Sequence, residues 1–372
     1  MPLLAFAANF LWVMILGLFG PCVPAIIIDL GISYAQAGLF FTLLSLGSLL
    51  ATPLAAAASD YLNGKLEFFL LALFLAAGLL AVSLAATFAL LLPVVLGMSL
   101  LGSPIGSVSQ SLMLARFPER RSRYLAFMGS CAAAGSLLAP LLVSVNLTAG
   151  LGWRAAFAET GILVLLLAAT VLTLRLPPAA PAHFRFQELR EVLGHPRVRL
   201  AAVLLFFSVA ADMGFSYWLA EYARSRLDLG LELASAAVGI YLTGLIAGRL
   251  LTGLLVRSIG EGSLFKASLP AAAAALLALL LLPGMIPRAA ALACYGLCVG
   301  PHFPLVMSLG TRCFPERPGL VTGTLYAALS AGGMVFPLLI GAVAARTGLD
   351  WAYGGLVVVL LGLWVLIRRG EF

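Results

Sequence analysis

The chain has 372 residues, enough for two or three soluble domains, yet 62% of it is hydrophobic and only 10% is charged, too little polar surface to cover such domains in water. Its net charge of +7 comes from 22 Lys and Arg against 15 Asp and Glu, and the basic residues fall in short breaks between apolar runs, which argues against a nucleic-acid partner. Five cysteines, Cys22, Cys131, Cys294, Cys298 and Cys313, lie within or at the ends of apolar runs, which argues against a secreted disulfide framework.

The stretch from Leu3 to Ile28 is too long for a signal-peptide core and lacks a basic leader, so it reads as a retained first membrane span. The apolar runs that follow are continuous, not alternating, which excludes barrel strands; a helix needs about 20 such residues to cross a bilayer. Cutting at charge, Pro and Gly predicts helices near 3–28, 34–57, 66–88, 92–115, 123–147, 154–174, 199–223, 233–256, 263–283, 288–312, 319–345 and 351–368. The expected fold is an all-α membrane protein of twelve transmembrane helices. With the N-terminus cytoplasmic, sixteen basic side chains fall in inside loops and five in outside ones (Arg154, Arg224, Arg226, Arg288 and Arg346), while Arg249 belongs to neither. That asymmetry predicts a multi-pass protein of the cytoplasmic membrane with both termini inside.

The longest polar stretch, 175–198, holds Pro177, Pro178 and Pro181 and then FRFQELREVLGHPRVR. It reads as a cytoplasmic linker with a short amphipathic helix, between an N-terminal six-helix bundle (1–174) and a C-terminal one (199–372). The halves repeat. Phe117-Pro118-Glu119-Arg120 recurs 197 residues later as Phe314-Pro315-Glu316-Arg317, and the same offset carries Gly47 to Gly244, Pro104 to Pro301, Gly135 to Gly332 and Pro140 to Pro337. With one residue of slippage Gly150-Leu151-Gly152-Trp153 matches Gly348-Leu349-Asp350-Trp351.

On these grounds the chain resembles, over its whole length, the major facilitator superfamily. The family's signature after span two, roughly G-x-x-x-D-[RK]-x-G-[RK]-[RK], meets Ala56, Asp60, Tyr61, Asn63, Gly64 and Lys65 here, so only the Asp and the last basic residue survive; the second copy reads Gly253, Arg257, Ser258 and Gly260. The resemblance implies two pseudo-symmetric bundles that rock about a midplane site. It also implies a cytoplasmic latch built from Asp60, Lys65 and Arg257, a small-molecule substrate and a monomeric carrier whose other partners are lipids.

Ionisable groups at membrane depth are expensive and so mark function or fixed pairing. Asp212 lies about 13 residues, some 20 Å, from the cytoplasmic end of span seven. It must be protonated or find a cation on another helix, as a proton carrier or as half of a structural ion pair. Arg249 lies about 12 Å before the turn at Arg257. Gly248-Arg249-x-x-x-Gly253 is similar to span eight of anion-carrying branches of the superfamily, which implies that Arg249 contacts substrate; a packing or latch element is the other reading. A guanidinium suits a carboxylate because its planar fork donates two bonds and keeps its charge. Thr52 stands at the repeat position, so a single cation points to a monoanion.

His302, after Pro301, reads either as a gating and proton-exchange partner of Asp212 or as a hydrogen-bonded helix contact. Cys294, Cys298 and His302 share a helix face, yet extend over about 12 Å and cannot hold one ion, so no metal is assigned. Tyr217 and Glu221 belong to an aromatic and acidic cluster, an outer gate and acid or an interfacial belt. In the family, spans one, four, seven and ten line the cavity, which adds Asn9, Ser103 and Gln110 as candidate substrate contacts. No nucleotide loop or nucleophile-base pair occurs, so neither enzyme nor cofactor is expected. The sequence reading is therefore a proton-coupled symporter of a small organic anion such as a monocarboxylate, with Na⁺ as the alternative coupling ion in place of the proton; the alternative function is a proton-coupled exporter of amphipathic cations.

Overall fold

The computed structural model describes residues 2–59, 63–117, 119, 121–174, 192–313 and 318–369. Among them run twelve helices long and apolar enough to cross a membrane, and no strand. In chain order these are α1 (Pro2–Leu30), α2 (Tyr34–Ser59), α3 (Gly64–Leu84), α4 (Phe88–Gly102 continued by Ile105–Arg116), α5 (Arg121–Thr148) and α6 (Gly152–Thr173), then α7 (Pro196–Val209, a π turn Ala210–Gly214, and Phe215–Arg226), α8 (Leu231–Ile259), α9 (Glu261–Leu281), α10 (Met285–Val299 continued by His302–Arg312), α11 (Pro318–Thr347) and α12 (Leu349–Arg369). The spans are those expected from hydropathy, with ends moved by a few residues. Asp60, the linker from 175 to 191 and the second Phe314–Arg317 turn lie outside the described residues; of the expected amphipathic helix only the end, 192–194, is described, and it is helical.

The repeat prolines explain where two spans break. Proline has no N–H and cannot join the helical ladder; α4 is interrupted at Ser103–Pro104 and α10 at Gly300–Pro301, in both cases with the proline at the N-cap of the second segment. Glycines end the helices that follow. α5 closes on Gly150 (φ 72°) and α11 on Gly348 (φ 86°), where an L side chain would be strained and glycine is not. Asn63 begins α3 by accepting from the Leu66 N–H at 2.8 Å, the usual N-cap bond.

By internal packing the chain forms two compact units: one of 1–32, 43–183 and 230–236, the other of 33–42, 184–229 and 237–372. The tip of α2 thus groups with the second unit and the start of α8 with the first. In the first unit α1 packs on α5, and α3 on α6 and α4; in the second, α7 packs on α11, and α9 on α12 and α10. The matched glycines sit at equivalent contacts: a Cβ on Gly135 would overlap the Phe10 carbonyl oxygen, and one on Gly332 would fall 2.5 Å from the Phe206 oxygen. Each unit also ties the end of its first helix to the start of its sixth. Asp29 pairs with Arg154 in the first and Arg226 with Asp350 in the second, so Asp29 and Arg226, 197 apart, occupy one repeat position with opposite charge.

α8 and α10 approach through two facing Gly-x-x-x-Gly patterns. Cβ atoms on Gly244 and Gly248 would overlap the Ala293 and Leu297 carbonyl oxygens, and those on Gly296 and Gly300 the Tyr241 and Leu245 oxygens. Small residues permit this backbone contact where lipid supplies no hydrophobic drive. Gly248→Ala should therefore overpack the contact by about 1–3 kcal/mol. Gly253→Ala, with nothing within 4 Å of its Cβ, should leave stability unchanged or raise it slightly. Thermal unfolding of the two variants in detergent checks this, and equal midpoints would count against the packing.

Candidate functional site

Asp212 stands on the π turn of α7, at the middle of the 31-residue span Pro196–Arg226. Such a turn admits one extra residue and shifts the ladder, and the carbonyls beside it find partners on other helices. Tyr295 Oη of α10 donates to Ala211 O at 2.8 Å, and Tyr353 Oη of α12 donates to Phe215 O at 2.9 Å. All three rings are fully buried, with the Tyr295 and Tyr353 centroids 4.5 and 4.7 Å from that of Phe215. Gly214 lets α11 close on the turn: its Cβ would stand 2.9 Å from Ile340 Cδ1.

The carboxylate itself is met by α8. Tyr241 Oη donates to Asp212 Oδ1 at 2.9 Å, and Arg249 Nη2 lies 3.9 Å from Oδ2. Tyr241 and Arg249 are two turns apart on one helix and reach the carboxylate from different sides. The second distance is an ion pair but too long for a hydrogen bond. The Asp212 and Arg249 side chains are 28% and 44% exposed, so the guanidinium keeps donors free. A charge pair at this depth neutralises both members without sealing either.

Glu221 is placed differently. Its carboxylate is fully buried and takes three donors, Arg224 Nε at 2.9 Å, Arg224 Nη2 at 2.7 Å and Tyr34 Oη at 2.7 Å, which is how a buried charge is retained. Tyr217, one helical turn nearer Asp212, stacks on Phe41 with centroids 4.1 Å apart and planes at 9°. Beside it Trp218 Nε1 donates to Pro337 O at 2.9 Å.

His302 begins the second segment of α10, 1% exposed, with its ring 5.4 Å edge-on from Phe265. Neither nitrogen has a hydrogen-bond partner among the described residues, so no such bond joins it to Asp212 or Arg249. Asn9, Ser103 and Gln110 belong to the first unit: Asn9 Nδ2 donates to Met128 O at 2.8 Å, Ser103 is buried at the α4 break, and Gln110 is exposed. Of the proposed latch, Lys65 donates to Leu172 O and Arg257 is exposed. Near Arg257, Glu261 Oε1 accepts from Ser308 Oγ at 2.9 Å and pairs with Arg312 Nη2 at the same distance, a cluster that sequence reasoning did not single out. It also missed Tyr241 and Tyr295; the available signal was that a Tyr deep in an apolar helix needs a partner for its hydroxyl. Among the described residues no group of three metal-ligating side chains occurs.

If the tyrosines hold the π turn, Tyr295→Phe strands the Ala211 carbonyl and should cost about 1–3 kcal/mol. Tyr326→Phe, at a residue 49% exposed, should cost little. Thermal denaturation in detergent compares them, and a neutral Tyr295→Phe would refute the role.

The sequence matches the profile of the Major Facilitator Superfamily over residues 5–324. Among solved structures, the nucleoside transporter NupG aligns with 100% of this chain and 98% of its own at a TM-score of 0.79 and 16% identity. A bacterial homologue of the human lysosomal transporter Spinster, in an inward-facing and occupied conformation, aligns with 99% of this chain and 96% of its own (TM-score 0.82, 16% identity). The human organic anion transporter MFSD10 aligns with 98% of both chains (TM-score 0.69, 18% identity). At such identities the likeness is one of fold, whereas the profile match covers most of the sequence: the chain is a member of the Major Facilitator Superfamily of transporters.

Proposed function

We propose that this protein is a secondary active transporter that moves a small organic anion, a monocarboxylate by preference, in symport with a proton by alternating access. The observation that carries the reading is the Asp212–Arg249 pair, loose at 3.9 Å and partly exposed on both sides. In the empty carrier the two charges cancel. With Asp212 protonated and an anion on Arg249 they cancel again, so both states cross without the several kcal/mol that an unpaired charge at mid-membrane would cost. Transport is then electroneutral, driven by the pH gradient and indifferent to membrane potential. The excess of basic loops supports a cytoplasmic-membrane location with both termini inside. The organic-anion transport named for MFSD10 is compatible with this reading, though the fold alone carries no substrate. The cation-exporter alternative is weakened because Glu221, one of its two attracting acids, is committed to Arg224 and Tyr34. Glu221 is better read as a strut.

In proteoliposomes with an acid outside, labelled lactate-like acids should accumulate. Asp212→Asn should abolish that accumulation while sparing exchange, and unchanged accumulation removes Asp212 from the mechanism. Arg249→Lys should raise KM at least about tenfold, since a point charge cannot replace a planar fork. An uptake rate that follows an imposed membrane potential at equal pH would rule out the electroneutral cycle.

A further inference from the structure

The π turn also decides which residue faces the same way as Asp212. In an uninterrupted α-helix a residue five positions on points about 140° away; one extra residue in the turn brings it back to about the angle of an i+4 neighbour. Tyr217, five after Asp212, is turned toward the Asp212 side of the helix by this displacement. Phe41 covers one face of the Tyr217 ring, but the side chain remains only half-buried. Among the described residues its hydroxyl makes no hydrogen bond, unlike that of Tyr241, which is spent on Asp212. A rigid, flat and partly open aromatic surface therefore stands five residues along α7 from the carboxylate that pairs with Arg249.

We propose that Tyr217 selects the body of the transported anion and that the substrate is an aryl monocarboxylate, its acid group on Arg249 and its flat ring extending the Phe41–Tyr217 stack. This rests on the anion reading of Arg249. Stacked or edge-on rings contribute beyond the area they bury, so a planar aromatic body gains affinity here that a short aliphatic acid does not.

The test measures KM for benzoate and for lactate in proteoliposomes under the same pH gradient. The unmodified protein should have a KM for benzoate at least about tenfold below that for lactate, about 1.4 kcal/mol. Tyr217→Ala should remove the difference by raising the benzoate KM with little change in maximal rate, and Tyr217→Phe should keep it. If Tyr217→Ala does not fold, Tyr217→Leu, which keeps an apolar side chain but no ring, makes the same comparison and should likewise remove the difference. Equal KM values in the unmodified protein, or a difference that persists in Tyr217→Ala, overturns the assignment. If both acids are carried through Arg249 without an aryl preference, Tyr217 alone falls; if neither acid is carried, the anion reading falls with it.

Discussion

A carboxylate in the middle of a membrane span has to be neutralised, and the way Asp212 meets that requirement organises the second unit. Its two oxygens are served from one helix, by the Tyr241 hydroxyl and the Arg249 guanidinium. That α8 stands where both can reach depends on the glycine contacts with α10, because backbones can meet at that distance only where no Cβ intervenes. α10 in turn supplies Tyr295, whose hydroxyl supports the turn on which Asp212 sits. Charge, small-residue packing and backbone irregularity are thus one arrangement, and a change to any of them moves the others.

The irregular backbone of α7 is affordable inside the bundle because its carbonyls are answered. Non-helical or distorted backbone at membrane depth persists only where protein or a water-lined cavity satisfies it, and here two tyrosines from α10 and α12 do so. The contrast with Glu221 is instructive. Both are acids on α7, but one has a single close donor and a distant, exposed cation, and the other three close donors in a fully buried setting. The first keeps a partly exposed partner, and the second holds α7 and the tip of α2 together within their unit.

Much of this could be read without coordinates. Spans follow from hydropathy alone, and the breaks in α4 and α10 fall at the two prolines that the repeat had already matched, Pro104 and Pro301. Asp212 and Arg249 stood out because a charged side chain in an apolar run has few reasons to be there. The π turn left no trace, since Ala210–Gly214 is composed of residues that an ordinary helix accepts and the distortion arises from what packs on it. Tyr241 and Tyr295 were visible as residues, but which oxygen each hydroxyl serves depends on helix rotation, which composition does not encode. For Glu221 the clue was local and went unused: Arg224 follows at i+3, the spacing of neighbours on a helix surface.

The oppositely signed pairs at the ends of each unit bear on how the chain is made. Asp29 can meet its cation once Arg154 has emerged from the ribosome, before the helices of the second unit have been made, whereas Arg226 waits for Asp350. The earlier bundle can therefore fasten its own rim during membrane insertion while the later one stays open to the last helix. Because the signs are reversed, a nascent Asp29 would meet a like charge at Asp350, so each rim discourages closure on the sister bundle's helix.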